Sequence, residues 1–541
     1  MVAAMLLRRT APVFLSLLLV ASAEEALPPV AEGVSASIQK LPEPEVASFP
    51  GGLELAVTTG SEPAQAHTVL GLDYLHGGWE FEAGRHFTAA LKADPECLLA
   101  QWGLVASMLA RTPENAEARE AAAGRLLTLV ERGAGSELER GYAYGLIQYF
   151  KEGPVGAATA FRKVAAKFPN DVQAAIFAAL FGRGGYDADG EATPDQVKSE
   201  KSLEELLAKN PGSTLLRYAL LTIRAEAPDL ASSLELAREL DRLAPEYPPY
   251  AHLLGHYEWR CGHHERAEAA FAKAAAGYEA WMARTGVSAL ECPGWVMAES
   301  YHAVALASLG KFDAALELAN RLRATRGPVD RAGSPGGRLL LWEASVLPAR
   351  LYLWRGEKGD AGRALAVLPE TKDIASYRVK SAANWYVDGL RLYLEAVRLL
   401  DEGKLPQAQA VAAVLAQHGE KMAAAQPTAA ETGERAEFAR GFRTLEVLAS
   451  EVRGRIAMAG PKAAKGSAYN WFRAAADRQV RPPMMLPPAL LTPMEARLGD
   501  FLADAGKPAE AAGCYEVALK KFPNDPILLQ KLAAARKQAG E

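Results

Sequence analysis

Residues 64–97 read AQAHTVLGLDYLHGGWEFEAGRHFTAALKADPEC. Counting Ala64 as place one, Leu70, Gly71, Tyr74, Gly78, Ala83, Phe87, Ala90 and Pro95 fall at places 7, 8, 11, 15, 20, 24, 27 and 32 of a 34-residue unit. Each place has a physical reason. Gly71 lets a first helix approach a partner closely, and Ala83 does the same on the second helix. Leu70, Tyr74 and Phe87 recur at helical period and fill the space between them. Gly77-Gly78 supplies a turn. Pro95 cannot continue the second helix and ends it. Place 4, where a large apolar residue would serve the packing, holds His67.

The same ruler fits elsewhere. Gly145, Ala157, Phe161 and Pro169 occupy places 8, 20, 24 and 32 of a unit starting at Leu138. From Pro248, Leu254-Gly255, Gly262, Ala267, Phe271 and Ala274 repeat the pattern, as do Leu498-Gly499, Gly506, Ala511, Tyr515 and Pro523 from Thr492. Further starts fall at 296 and 389, a degenerate unit runs from Thr214 to Tyr247, and the spacing of the clear starts is rarely a multiple of the unit length. The pattern resembles the tetratricopeptide repeat, two antiparallel helices per unit. The resemblance implies an all-α fold, an irregular α-solenoid of helix hairpins, in which stacked pairs create a concave face for a partner protein or peptide. From Ala64 to Trp281 the chain is also loosely similar to exported bacterial proteins of this repeat type. Asp94-Pro95 and Trp102-Gly103 echo one of their motifs, and His252-Leu253-Leu254-Gly255-His256-Tyr257 echoes another without its serine. That likeness implies lineage and no activity.

Half of the 541 residues are apolar and 23% are charged, which is ample for a buried core. At the N-terminus Arg8-Arg9 precede an apolar run from Ala11 to Val20 and then Ala21-Ser22-Ala23. These are the three parts of a secretory signal peptide, residues 1–23, with cleavage expected between Ala23 and Glu24. The run is too short for a membrane span, which needs roughly 20 apolar residues. The expected location is therefore periplasmic or extracellular. Loss of Arg8 and Arg9 takes the net charge from −5 to −7, a poor balance for binding nucleic acid.

Residues 24–63 are rich in Pro and Glu and read as a flexible lead-in or a strap. Residues 64–330 read as a first solenoid lobe and 331–480 as divergent helical repeats, with long amphipathic helices expected over 382–402 and 433–459. A Pro-rich linker spans 481–491, and 492–541 reads as a final repeat with a capping helix. Thr193 facing Gln196 suggests a capping box at a further helix start.

Several constellations carry a chemical reading beside a plainer one. His252 and His256, four apart on a helix, have the spacing of two metal ligands, with Glu258, Cys261, His263, His264 and Glu265 nearby. They support an alternative function, a metal- or small-ligand-binding protein or enzyme; the plainer reading is two histidines packed in a repeat. Asp187, Asp189 and Glu191 alternate as in a calcium loop, but the Gly and Glu of that loop are out of place. Cys261 and Cys292 are the closest pair among four cysteines and would gain ~3–4 kcal/mol from a disulfide; unpaired buried thiols are the other reading. Six of nine tryptophans lie between Trp259 and Trp385, as an aromatic groove or as core. Arg453, Arg455, Lys462, Lys465, Arg473, Arg478 and Arg481 form the basic stretch of an acidic chain, a peripheral envelope contact or a solvated helix face. No nucleophile elbow, phosphate loop, dinucleotide fingerprint or H-E-x-x-H occurs, so the expectation is a non-enzymatic scaffold without a cofactor.

Overall fold

The computed structural model describes residues 27–110, 112, 114–187, 190–325, 331–370, 381–431, 433–480 and 486–540. The expected signal segment and its Ala23/Glu24 junction lie outside them. Among the described residues the secondary structure is helical, save one β-bridge between Tyr186 and Ala192.

The ruler stretch forms α1 (Glu62–His76) and α2 (Glu80–Ala93). Ser61 caps α1, its hydroxyl accepting the Ala64 N–H at 3.3 Å. The turn between them needs Gly78, whose φ of +81° is left-handed. The close approach needs Gly71: a Cβ there would lie 2.6 Å from the Phe87 ring. The same lock recurs with the same 2.6 Å at Gly145 under Phe161, Gly255 under Phe271 and Gly499 under Tyr515. Places 8 and 24 are thus one contact, a bare backbone against an aromatic ring, and the spacing between them is what the hairpin geometry demands.

The hairpin is followed by α3 (Leu98–Ala106), α4 (Ala116–Glu131) and α5 (Glu137–Lys167). The last is itself a hairpin: Gly153, at φ 72° and ψ −161°, reverses it before Pro154. Next come α6 (Val172–Gly182), α7 (Pro194–Lys209), α8 (Thr214–Ile223), α9 (Ala231–Leu243), α10 (Pro248–Arg260), α11 (His264–Thr285), α12 (Pro293–Ser308) and α13 (Phe312–Ala324). The expected capping box at α7 is half made. Thr193 accepts the Gln196 N–H, but the Gln196 side chain turns away to the Ile223 carbonyl at 2.8 Å. Ser136 and Glu139 form a complete box at α5 instead.

These helices curl back on their start. The Trp79 ring at the α1–α2 turn lies 4.8 Å from Trp281 and 5.3 Å from Tyr278 on α11. His76 Nε2 meets Gln173 Oε1 on α6 at 3.1 Å.

Beyond them, α14 (Pro335–Leu339) runs through a π turn into α15 (Leu347–Arg355) and α16 (Asp360–Val367). The two long helices are α17 (Ala383–Asp401) and, after α18 (Leu405–Ala424) and α19 (Gln426–Glu431), α20 (Arg435–Ala459). Helix α20 pairs with α21 (Lys462–Arg478) through another lock, Gly454 under Phe472, at a spacing the ruler does not predict. The chain ends in α22 (Met494–Asp504), α23 (Pro508–Lys521) and α24 (Pro526–Ala539). This last hairpin folds back: one apolar cluster joins Trp259 and Trp354 to Tyr515, Phe522 and Leu528. Asn524 donates to the Gly262 carbonyl at 3.1 Å. The described part of the Pro-rich stretch, 486–491, is packed too: Tyr301 donates to the Leu486 carbonyl at 2.7 Å and Leu491 is buried.

Candidate functional site

Residues 27–60 run over the first hairpins as a strap, with short helical turns at Val30–Gly33 and Ala36–Gln39 and no helix from 41 to 60, and the helices hold it by its backbone. Gln65 on α1 makes a two-way clamp: its Oε1 accepts the Val57 N–H at 2.7 Å and its Nε2 donates to the Leu55 carbonyl at 2.7 Å. One turn or more along the same helix, Asp73 Oδ1 accepts the Leu53 N–H at 2.8 Å. Glu139, the carboxylate of the capping box on α5, spends its other oxygen on the Thr58 N–H at 2.9 Å. At the start of α8, the Thr214 hydroxyl donates to the Pro50 carbonyl at 2.7 Å. Further out, Arg85 on α2 donates to the Pro42 carbonyl at 3.0 Å and Arg125 on α4 to the Pro28 carbonyl at 2.8 Å.

Five of these six side chains, Asp73, Arg85, Arg125, Glu139 and Thr214, are almost fully buried. Buried polar groups need partners, and here the strap backbone supplies them. Burial raises the Asp73 carboxyl to about 7, with the Leu53 N–H pulling the other way. Burial lowers Arg125 from its ordinary value. His67 is lowered by burial while Glu43 on the strap, 3.6 Å from its Nε2, opposes that shift.

Side chains of the strap divide by period two. Leu53, Leu55 and Val57 turn inward, while Glu54, Ala56 and Thr58 are exposed. Phe49 adds an aromatic anchor, edge-on to Tyr74 at 5.5 Å and Tyr247 at 5.1 Å. The helices thus read an extended chain through its main-chain groups and a few apolar knobs, the two components of extended-peptide recognition.

The structure brings His252 and His256 together on α10, their Nε2 atoms 2.9 Å apart. Both are buried against Phe271 and Tyr301. Burial pushes His252 down to about 3. It also pushes His256 well below its ordinary value, with His252 and Arg260 adding to the effect. Two neutral rings can share that contact as donor and acceptor, which occupies both Nε2 atoms and leaves both Nδ1 atoms buried without a hydrogen-bond partner. No group of three or more His, Cys, Asp or Glu able to hold a metal occurs among the described residues. Of their sequence neighbours, Glu258 is buried and pairs with Arg238 at 2.7 Å and His263 at 2.8 Å.

The remaining sequence candidates fall as follows. Cys261 and Cys292 are free thiols, as are the other two cysteines. Asp187 Oδ1 accepts the Glu191 N–H at 2.9 Å within a bridged turn, and Asp189 lies outside the described residues. Trp259, Trp281, Trp342 and Trp354 are buried core, and Trp295 and Trp385 are half-buried. In the basic stretch, Arg453 stacks over Trp471 at 4.9 Å, Arg455 pairs with buried Glu451, and Arg473 pairs with Asp477 at 2.9 Å. Arg478 donates to Ser450 at 3.3 Å. The side chains of Lys462 and Lys465, and all of Arg481, lie outside the described residues. No helix among the described residues is long and apolar enough to cross a membrane.

No protein-family model matches the chain, and neither does any curated protein. Among solved structures the chain is similar to the P58(IPK) TPR domain, at 12% identity over 88% of this chain and 98% of that one, with a TM-score of 0.21. It is similar also to yeast Tom70, at 12% identity over 88% and 89%, with a TM-score of 0.25. A third is the APC/C hetero-tetramer Cut9-Hcn1, at 13% identity over 75% and 84%, with a TM-score of 0.24. Scores this low leave the fold to be read from the chain's own hairpins, and the lock repeated at Gly71, Gly145, Gly255 and Gly499 decides it. The fold is of tetratricopeptide type.

Within that fold the strap clamp is what the sequence reading missed. Two signals were present: Asp73 and Glu139 sit on otherwise apolar or small-residue helix faces, and Leu53-x-Leu55-x-Val57 alternates. Neither signal names its partner, because the contacts join segments up to 164 residues apart.

Proposed function

We propose that this chain is an exported, non-enzymatic scaffold that holds an extended segment of a partner protein across its first helix hairpins. The observation that carries the reading is the Gln65 clamp with Asp73 and Glu139, which binds main-chain groups and therefore suits an extended chain of varied sequence. A surface of stacked hairpins presents such groups preformed, so that little ordering is required of the scaffold on binding. Export is supported by the order of Arg8-Arg9, the Ala11–Val20 run and Ala21-Ser22-Ala23. The net charge argues against a nucleic-acid partner.

Affinity capture of the mature chain from its native envelope extract, followed by mass spectrometry, tests the reading. A partner protein whose cross-links map to α1, α5 and α8 is expected. Recovery of a metal or small molecule with no protein would contradict it and favour the His252 and His256 face.

A further inference from the structure

The surface that reads an extended chain is already filled by this chain's own strap. Four features of the strap suit a resident occupant rather than a permanent wall of the lobe. Its hold on α1, α5 and α8 is through backbone atoms, which another extended segment also possesses. Its outward side is bare: Glu45, Val46, Ala47 and Ser48 are all exposed, and Val46 is 57% exposed. Between 41 and 59 its apolar anchors are six: Leu41, Pro44, Phe49 and the Leu53, Leu55, Val57 row. It joins α1 through Gly60, an exposed residue around which a Cβ would meet nothing within 4 Å.

We propose that residues 41–59 are a displaceable internal ligand that gates the α1/α5/α8 surface. The competing ligand is an extended peptide of the same pattern: an aromatic residue, a small or turn-forming pair, then apolar residues at alternate places. This rests on the peptide-holding reading above and adds its regulation. While the strap is tethered, its effective concentration at the surface is high, and a peptide in trans competes poorly. A partner that pulls the strap away, or carries a stronger aromatic anchor, opens the surface.

The test uses the mature full chain with a protease site inserted after Gly60 and a fluorescent synthetic peptide covering 41–59. Anisotropy is read before and after the cut, mass spectrometry follows release of the cut strap, and circular dichroism follows the fold. The proposal expects the cut protein to bind the peptide at least tenfold more tightly than the uncut protein, and unlabelled peptide to chase it off. A peptide with Phe49→Ala should bind more weakly. In uncut protein, Phe49→Ala should raise peptide binding with the helical signal intact. Equal binding by cut and uncut protein would overturn the gating while leaving the peptide-holding surface in place. Release of the strap with no peptide binding at all would overturn both. Retention of the cut strap against excess peptide, or loss of helical signal on its release, would show a structural element and overturn the proposal.

Discussion

The α1–α2 and α10–α11 hairpins are built on one lock and put to different uses. In each, a glycine at place 8 lies under an aromatic at place 24, Gly71 under Phe87 and Gly255 under Phe271. The polar residues near the lock then diverge. On α1, Gln65 and Asp73 face the strap and bond its backbone. On α10, His252 and His256 face each other and the next hairpin's Tyr301. A repeat can therefore carry polar side chains on a buried face in two ways: by borrowing an extended segment, or by pairing them internally. Only the first leaves a surface that a ligand could share.

The largest expected effect tests what the two hairpins have in common. Phe87→Ala and Phe271→Ala should each cost ~3–5 kcal/mol, because each ring fills a site that glycine leaves open. Chemical denaturation, with hydrogen exchange resolving each hairpin, checks it. A marked loss at one and little at the other would show that the lock is not shared.

The next effect separates the hairpins by pH. His252 and His256 are held below their unfolded value near 6.5, so the stability they lend is complete above pH 6.5 and is lost as pH falls toward about 3. Each unit of that fall costs about 1.4 kcal/mol per histidine. The double variant His252→Gln, His256→Gln should flatten the acid limb of Tm against pH. Asp73 runs the other way. Its pKa is raised to about 7, so its contribution is greatest in acid and is lost as pH rises through 7. Asp73→Asn should therefore reduce the loss of stability between pH 5 and pH 8, read as Tm against pH.

A smaller effect sharpens the strap side alone. Gln65→Ala removes two strap hydrogen bonds and should loosen the strap by about 1–2 kcal/mol, leaving exchange of α10 amides unchanged. The smallest concerns metal. Purified protein should carry no stoichiometric zinc, and added zinc should leave Tm where it was, since His252 and His256 are buried and no third ligand joins them among the described residues. Elemental analysis and a thermal melt with and without zinc decide it.

The local geometry of the repeat was legible because it depends on residues close in sequence. Gly71 and Phe87 are 16 apart, and their contact is dictated by two helices and a turn. The Gly454–Phe472 lock follows the same physics at a spacing of 18 and escaped the ruler for that reason. The helical pairing of His252 and His256 was legible too, but not their burial against Phe271 and Tyr301, which depends on other helices. The strap was the least legible feature. A segment rich in Pro and Glu with no helical period gives few internal clues, and its order comes from Asp73, Glu139 and Thr214 on separate helices. The return of the final hairpin onto Trp259 and Trp354 was hidden likewise, since apolar faces do not announce their partners.

The central claim is that helix side chains hold the strap by its backbone, and amide-resolved hydrogen exchange on the purified protein tests it most directly. The amides of Leu53, Val57 and Thr58 should be protected, each donating to a helix side chain. Those of Glu54 and Ala56, which donate to none of these helix side chains, should exchange much faster. Uniform exchange along 53–58 at the rate of a free peptide would contradict the account.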